Sequence, residues 1–419
     1  MRLSACTDVH TMTTAIDSVS PALSPTPGAP PRSPAVLRRM LSLHDFEDAA
    51  RRRLPRPIFG YIAGAAEDNA SLRDNREVFG EYAFTTRVLR DVSQRSQAVE
   101  LFGERYSSPF GIAPMGINAL STYRGDLVLA RAAQRAGIVS VMSGTSLIPM
   151  EDVARESPGT WFQAYLPGDQ ARIDALIDRV ERAGFRTLVV TVDIPISANR
   201  ENNIRTGFST PLRPGLRLAW DGLVRPRWVA GTFLRTLLHH GMPHFENSFA
   251  TRGAPIVSSS VLRDFSARDH LRWSHLEAIR RRWKGPLVVK GVLSVEDALQ
   301  ARNLGADGVV LSNHGGRQLD GAVSAMRVLE AVLAAVGPAF PVLIDGGFRR
   351  GADVLKAIAL GARMVLVGRP FNYAAAVAGE AGVQHAIGLL RDEVDRNLAM
   401  LGARSCTDLG PGHIVRRHG

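Results

Sequence analysis

From residue 109 onward the chain repeats one pattern: a short apolar run ending in small or polar residues, then a helical stretch rich in Ala, Leu and Arg. The runs cover residues 110–114, 138–142, 160–165, 187–192, 286–290, 308–312, 341–345 and 364–368. Near-continuous hydrophobicity over so few residues marks strands buried on both faces of a parallel sheet. Eight β-α units predict an α/β fold closed into a (β/α)8 TIM barrel. The 419 residues accommodate such a barrel, ~250 residues, with additions. An open doubly wound sheet is the competing architecture. It usually has fewer strands, and its phosphate-binding Gly-x-Gly-x-x-Gly turn is missing after the first run.

Three segments stand outside the repeat. Residues 1–40 are rich in Ser, Pro, Thr and Ala, with too little apolar surface to offset the entropy of ordering. They are predicted to be a disordered tail, leaving 41–419 as one barrel domain. Residues 43–80 show helical spacing at Leu43, Phe46, Ala50 and Leu54, then at Phe59 and Ile62. Pro55 and Pro57 should split that stretch into two helices. Residues 193–285 separate the fourth and fifth runs, so 201–270 reads as a large insertion. Loops of that size in compact domains are usually functional or disordered.

The formal charge is +11, from 51 Lys and Arg against 40 Asp and Glu. The cations are not gathered into one long tract, so nucleic acid is not an expected partner. Cys6 and Cys406 make no disulfide framework, and no Cys/His cluster has zinc spacing, so no metal is expected. No apolar stretch is long enough to span a bilayer, and the first residues lack the order of a signal peptide. A reducing cytoplasm is the compartment this predicts.

In a barrel of this kind the active site lies at the C-terminal ends of the strands. Those ends carry Gln163 and Tyr165, Thr191 and Asp193, Lys290, Ser312-Asn313-His314 with Arg317, Asp345-Gly346-Gly347 with Arg349, and Gly368-Arg369. A lone His or Lys after a strand is more often structural than catalytic. Six consecutive strand ends bearing polar groups point instead to a catalytic rim. The glycines and arginines after the seventh and eighth runs suit a phosphate group, which this fold usually binds there.

The run Ser312-Asn313-His314-Gly315-Gly316-Arg317-Gln318-Leu319-Asp320 resembles the signature of the FMN-dependent 2-hydroxy acid dehydrogenase/oxidase family. The likeness extends to Phe59-Gly60-Tyr61-Ile62-Ala63-Gly64, Gln163-Ala164-Tyr165, Thr191-Val192-Asp193, Arg200, Val289-Lys290-Gly291 and Asp345-Gly346-Gly347-Phe348-Arg349. It spans roughly residues 43–410. The resemblance implies FMN across the barrel mouth. Gly347, Arg349, Gly368 and Arg369 would hold its phosphate, and Ser143, Gln163 and Thr191 the edge of its ring. Pro114, Met115 and Gly116 would pass beside the reactive ring nitrogen, and Lys290 would meet the charge that gathers on reduction. Ser312, Asp345 and Gly346 complete the implied cofactor set. His314 would be the base, held by Asp193, with Tyr165 on the substrate hydroxyl. Arg317 would bind the carboxylate with help from Tyr61 and Arg200.

The implied reaction is oxidation of a small L-2-hydroxy acid, L-lactate first, with electrons passed to a quinone or another respiratory carrier. An oxygen-dependent oxidase or a mandelate dehydrogenase is the alternative. A barrel isomerase or a phosphate-ligand protein is the reading from another class. Gly116 stands where many oxidases of the family have Ala, and should leave more room beside the flavin. Within the insertion, residues 211–250 interleave Trp220, Arg225, Arg227, Trp228, Phe233, Arg235, Leu237 and Leu238. Basic groups among large apolar ones suit a lipid interface, and the membrane-associated dehydrogenases of the family look similar here. A lid or a subunit contact would use the same residues. The resemblance further implies a homotetramer, peripheral at the inner face of the cytoplasmic membrane.

Overall fold

The computed structural model describes residues 34–213, 215–260 and 268–417. Most of the segment expected to be disordered, residues 1–33, and with it Cys6, lies outside them. Residues 34–40 correct that expectation. Ala35–Arg39 forms a 3-10 helix, Leu37 and Met40 are buried, and the Met40 carbonyl meets His385 Nε2 at 2.8 Å. Two apolar side chains at the end of a polar segment are enough to dock it.

Eight parallel strands form the barrel: β1 (Phe110–Ile112), β2 (Val141–Ser143), β3 (Trp161–Tyr165), β4 (Leu188–Thr191), β5 (Leu287–Val292), β6 (Gly308–Leu311), β7 (Val342–Asp345) and β8 (Met364–Val367). Each falls within or beside a run read from the sequence. β1 pairs with β8, and the ring closes where Ile112 N donates to the Val139 carbonyl at 2.8 Å. Val141, Trp161, Val189, Val288, Val310, Leu343, Met364 and Leu366 fill the interior. The hairpin of Val99–Leu101 and Glu104–Tyr106 plugs its lower end, with the Phe102 ring 5.6 Å from that of Trp161. The alternate strand residues face outward into the larger core beneath the helices. A barrel so filled is a solid platform with its chemistry confined to the upper rim.

Register sets that rim. Tyr165 is level with Thr191, and Thr191 with Lys290, so three side chains from β3, β4 and β5 form one row. Ser143 is level with Gln163.

Residues 43–80 contain three helices rather than two: α1 (Asp45–Arg53), α2 (Arg56–Ala63) and α3 (Ala70–Glu77). Pro55 and Pro57 start α2, where the first turn needs no N–H donor. The second break comes from Gly64 through Asn69, the latter left-handed at φ 61°. Asp320, in the loop after β6, accepts from the backbone N–H groups of Asp68, Ala70 and Ser71 at 2.9–3.1 Å. An anion at the start of α3 is favoured by the helix dipole, and it clamps that loop to the N-terminal helices.

The insertion is helical over Glu201–Thr206, Leu216–Leu223, Pro226–Trp228 and Arg235–His240, with a π-helical turn over Val229–Leu234. Trp228 Nε1 donates to the Leu120 carbonyl at 2.7 Å and fastens the insertion to the loop after β1. Leu216, Trp220, Leu223 and Leu238 stay exposed. No helix among the described residues is long and apolar enough to cross a membrane.

Candidate active site

A cavity of about 610 Å³ opens at the C-terminal ends of the strands. That volume is typical of small-molecule sites. Tyr61, Pro114, Met115, Gly116, Tyr165, Thr191, Arg200, Lys290, His314, Arg317, Asp345, Gly346, Gly347, Arg349, Gly368 and Arg369 all line it. The remaining residues singled out in the sequence join it through hydrogen bonds, Ser143 to Thr145 and Gln163, Asp193 to His314, and Ser312 to Lys290.

His314 has left-handed backbone, φ 58°, which costs a non-glycine residue energy unless its surroundings enforce it. Here they do. Its N–H donates to Ser312 Oγ at 2.9 Å, and its Nδ1 lies 3.0 and 3.1 Å from the two carboxylate oxygens of Asp193. Asp193 therefore sets the tautomer, leaving Nε2 as the free acceptor. Burial lowers the imidazole below its ordinary range, and Asp193 opposes without overcoming it. The Asp193 carboxyl is raised by burial but lowered further by His314, so it stays ionised. The Tyr165 ring lies 6.5 Å from that of His314, and burial, then Asp193, raises its phenol.

Lys290 is 3% exposed. Its ammonium donates to Ser312 Oγ at 2.8 Å and pairs with Asp345 Oδ2 at 3.0 Å. Burial would lower it, but the carboxylates of Asp345 and Asp193 outweigh burial and hold it above its ordinary value.

Five arginines line the cavity, Arg200, Arg268, Arg317, Arg349 and Arg369. Arg317 Nη1 donates to the carbonyls of Tyr61 and Gly64, each at 2.7 Å, and its Cζ lies 4.8 Å from the Tyr61 ring centre. Arg200 donates to the Arg317 carbonyl at 3.0 Å and to Gln318 Oε1 at 2.6 Å. Arg369, expected at the phosphate, donates to the carbonyls of Ile62, Gly64 and Gly315, each at 3.0 Å. Burial, then repulsion from Arg317, lowers Arg200 to about 10 and Arg369 to about 9. Cations crowded into one cavity, and held by neutral carbonyl and amide oxygens rather than carboxylates, form a receptor for anions.

Residues the sequence reading passed over complete the site. Asn75 on α3 exchanges amide hydrogen bonds with Asn313 at 2.8 and 3.0 Å. A Cβ at Gly347 would come 1.8 Å from the Asn75 carbonyl, so glycine there lets α3 approach as well as adopting φ 83°. Arg268 lies at the far end of the insertion, with its Cζ 5.2 Å from the Tyr165 ring centre. The fold of the insertion brings residue 268 back over the rim, more than a hundred positions from Tyr165. Thr145 corrects the expectation of space at Gly116. A Cβ added to Gly116 would stand 2.2 Å from Thr145 Oγ1, so the threonine occupies that room.

The residues present fit FMN. Gln163 Nε2, Thr191 Oγ1 and Asp345 Oδ1 are buried without a hydrogen-bond partner. Unmet donors and acceptors at a rim are costly, and a planar ring bearing N–H and C=O groups would satisfy them. Gly368 precedes a helical stretch, Arg369–Met400, whose N-terminal N–H groups suit a phosphate. A barrel with a paired histidine, a buried lysine and clustered arginines at one mouth is built for an anionic substrate beside a flavin-sized planar group.

Comparison with known proteins agrees. Residues 50–416 match the family model described as FMN-dependent dehydrogenase. The chain is 39% identical to (S)-mandelate dehydrogenase of Pseudomonas putida, over 90% of this chain and 94% of that one. It is 38% identical to L-lactate dehydrogenase of Alcaligenes faecalis, over 89% of this chain and 98% of that one. A solved structure of the monotopic membrane protein (S)-mandelate dehydrogenase superposes with a TM-score of 0.83 at 39% identity, covering 90% of this chain and 100% of that one. The chain belongs to the FMN-dependent dehydrogenase family, and its chemistry is FMN-dependent oxidation of a 2-hydroxy acid.

Proposed function

We propose that the protein oxidises a small L-2-hydroxy acid, L-lactate first, to the 2-oxo acid and delivers the electrons to a quinone or similar carrier at a membrane surface. The observation that carries this reading is the His314–Asp193 pair facing the same cavity as Tyr165, Arg317 and Arg200. Arg317 and Arg200 bind the substrate carboxylate, Arg317 by turning its fork from the carbonyls of α2. Tyr165 orients the hydroxyl. His314 Nε2 takes the proton released in oxidation, and Asp193 stabilises the imidazolium. When bound, FMN supplies the two-electron acceptor. Gly347, Arg349 and Gly368 would hold its phosphate, with Arg369, bonded to the Ile62 and Gly64 carbonyls, beside them. Pro114, Met115 and Gly116 would border its ring, Ser143 and Ser312 brace Gln163 and Lys290, and Gly346 would give backbone access beside Asp345.

The test is anaerobic titration of the yellow protein with a panel of 2-hydroxy acids. L-lactate should bleach the flavin. A colourless protein that binds no FMN, or a flavin that no 2-hydroxy acid bleaches, would sink the proposal. An aryl-tailed acid such as mandelate is the second reading. It is favoured by Phe208, whose ring lies 4.6 Å from that of Tyr61, and by Ile194, Ile196 and Ile256 on the same wall. The panel decides between them, and peroxide yield in air tests for oxygen as acceptor.

Arg317→Lys should raise KM by about 10- to 100-fold, the equivalent of the roughly 1.5–3 kcal/mol of hydrogen bonding to a charged group. An unchanged KM would remove Arg317 from carboxylate recognition.

The exposed Leu216, Trp220, Leu223 and Leu238 support docking on the inner face of the cytoplasmic membrane. Trp220→Ser combined with Leu238→Ser should move the protein from the membrane pellet to the supernatant, with anaerobic bleaching intact. Unaltered partitioning would count against this face. A homotetramer is the assembly proposed with it, tested by light scattering.

A further inference from the structure

Asp126 is a buried carboxyl that the proposed chemistry does not use. It is the second residue of the helix Gly125–Ala136 and is 4% exposed. Its Oδ1 accepts from Asn118 Nδ2 at 3.0 Å, while its Oδ2 is buried without a hydrogen-bond partner. The same Asn118 nitrogen donates to the Met115 carbonyl at 2.8 Å, and Asn118 Oδ1 accepts from Asn372 Nδ2 at 2.7 Å. Asn118 and Asn372 are each 3% exposed. Met115 and Asn372 both line the active-site cavity. One carboxamide therefore joins Asp126 to the loop after β1 and to the helix that begins behind β8. The Asn118 backbone packs directly on Gly125, where an added Cβ would lie 2.4 Å from the Asn118 carbonyl.

An asparagine amide has two N–H donors and one oxygen. Here both donated bonds run to oxygen atoms, and the oxygen receives an N–H. Turning the amide over would set its oxygen against a carboxylate and a carbonyl. We propose that Asp126 is a positioning residue for the flavin-facing loop: its carboxylate holds Asn118 in the single orientation that fixes the Met115 carbonyl and Asn372 together. The proposal rests on FMN lying across the barrel mouth with Pro114, Met115 and Gly116 beside its ring.

Burial pushes the Asp126 carboxyl up to about 6, against the hydrogen bond from Asn118. Charged groups on the surrounding elements are engaged elsewhere. Arg124 pairs with Asp152 and Arg131 with Glu156, both on the helix Met150–Glu156; Arg135 pairs with Glu380 on the helical stretch Arg369–Met400. A hydrogen bond to an ionised acceptor is roughly twice as strong as one to a neutral acceptor. Protonation of Asp126 therefore slackens the hold on Asn118 and, through Met115, alters the surroundings of the flavin.

The experiment follows the visible spectrum of FMN bound to the full chain from about pH 5 to about pH 8, spanning the range in which the carboxyl changes charge. His314→Gln is used as the background, so that the imidazole does not titrate. A spectral break near pH 6 is expected there. It should vanish when Asp126→Asn is added, leaving the low-pH spectrum at every pH. No break, or a break that survives Asp126→Asn, overturns the proposal. Asn372→Ala is the second variant, because it leaves the carboxyl in place. It should shift the spectrum and keep the break, and an unshifted spectrum overturns the coupling through Asn118. A chain that binds no FMN in any form counts against the cofactor placement itself, whereas bound FMN without a break counts only against Asp126.

Discussion

His314→Gln is expected to cut turnover by about 10²- to 10⁴-fold, the usual contribution of a positioned base, while FMN stays bound. Gln keeps a donor toward Asp193 and much of the ring's volume, but it has no nitrogen that can take a proton at working pH. The cofactor contacts proposed for Gln163, Thr191, Lys290 and Gly368 do not pass through residue 314. Flavin content and anaerobic bleaching rate are the two measurements. Lost flavin would make His314 a structural residue, and an undiminished bleaching rate would assign proton removal elsewhere.

The pH dependence follows from the same pair. The neutral imidazole is the working form, and burial lowers its pKa below the ordinary 6.5. Lowering a base's pKa extends its neutral form toward acid. In the wild-type enzyme kcat/KM should therefore be flat through neutral pH and fall on the acid side of 6.5, and that fall should be absent from the residual activity of His314→Gln. A fall centred above 6.5 would mean that the Asp193 carboxylate outweighs burial.

The barrel was legible because buried parallel strands leave a local mark, a short apolar run between helical periods. The rim was legible for a related reason. Strand ends fall at predictable places, so Lys290, His314 and Asp345 could be named before the fold was known. What escaped was long-range. Asn75 reads as one more polar residue on an amphipathic helix, and its partner Asn313 is 238 positions away. Arg268 closes over Tyr165 only after the whole insertion has returned to the rim. Thr145 was invisible beside Gly116 because the contact joins the loops after two different strands. Arg369 kept its predicted cavity but gained carbonyl partners on α2 that no motif announces. Residues 34–40 read as tail because composition averages over a window, whereas docking needed only Leu37 and Met40.

Lys290→Met should lower the rate of flavin bleaching by about 10²- to 10³-fold, the scale for removing one preorganised charge partner from a reacting centre. It should also destabilise the protein by about 3–5 kcal/mol, the usual result of breaking one side of a buried ion pair. The stability loss arises at Asp345, 7% exposed, whose Oδ2 loses the ammonium while its Oδ1 already has no partner. The two effects have separate origins and can be separated. Asp345→Asn in the same chain removes the stranded charge, so the double variant should recover much of the thermal stability. It should not recover the bleaching rate, because an amide and a thioether supply no cation where charge gathers on reduction. Burial opposes the lysine's charge, but Asp345 and Asp193 hold it protonated above its ordinary pKa of 10.5, so no accessible assay pH should mimic the substitution. If the double variant regained stability and rate together, Lys290 would serve only to neutralise Asp345.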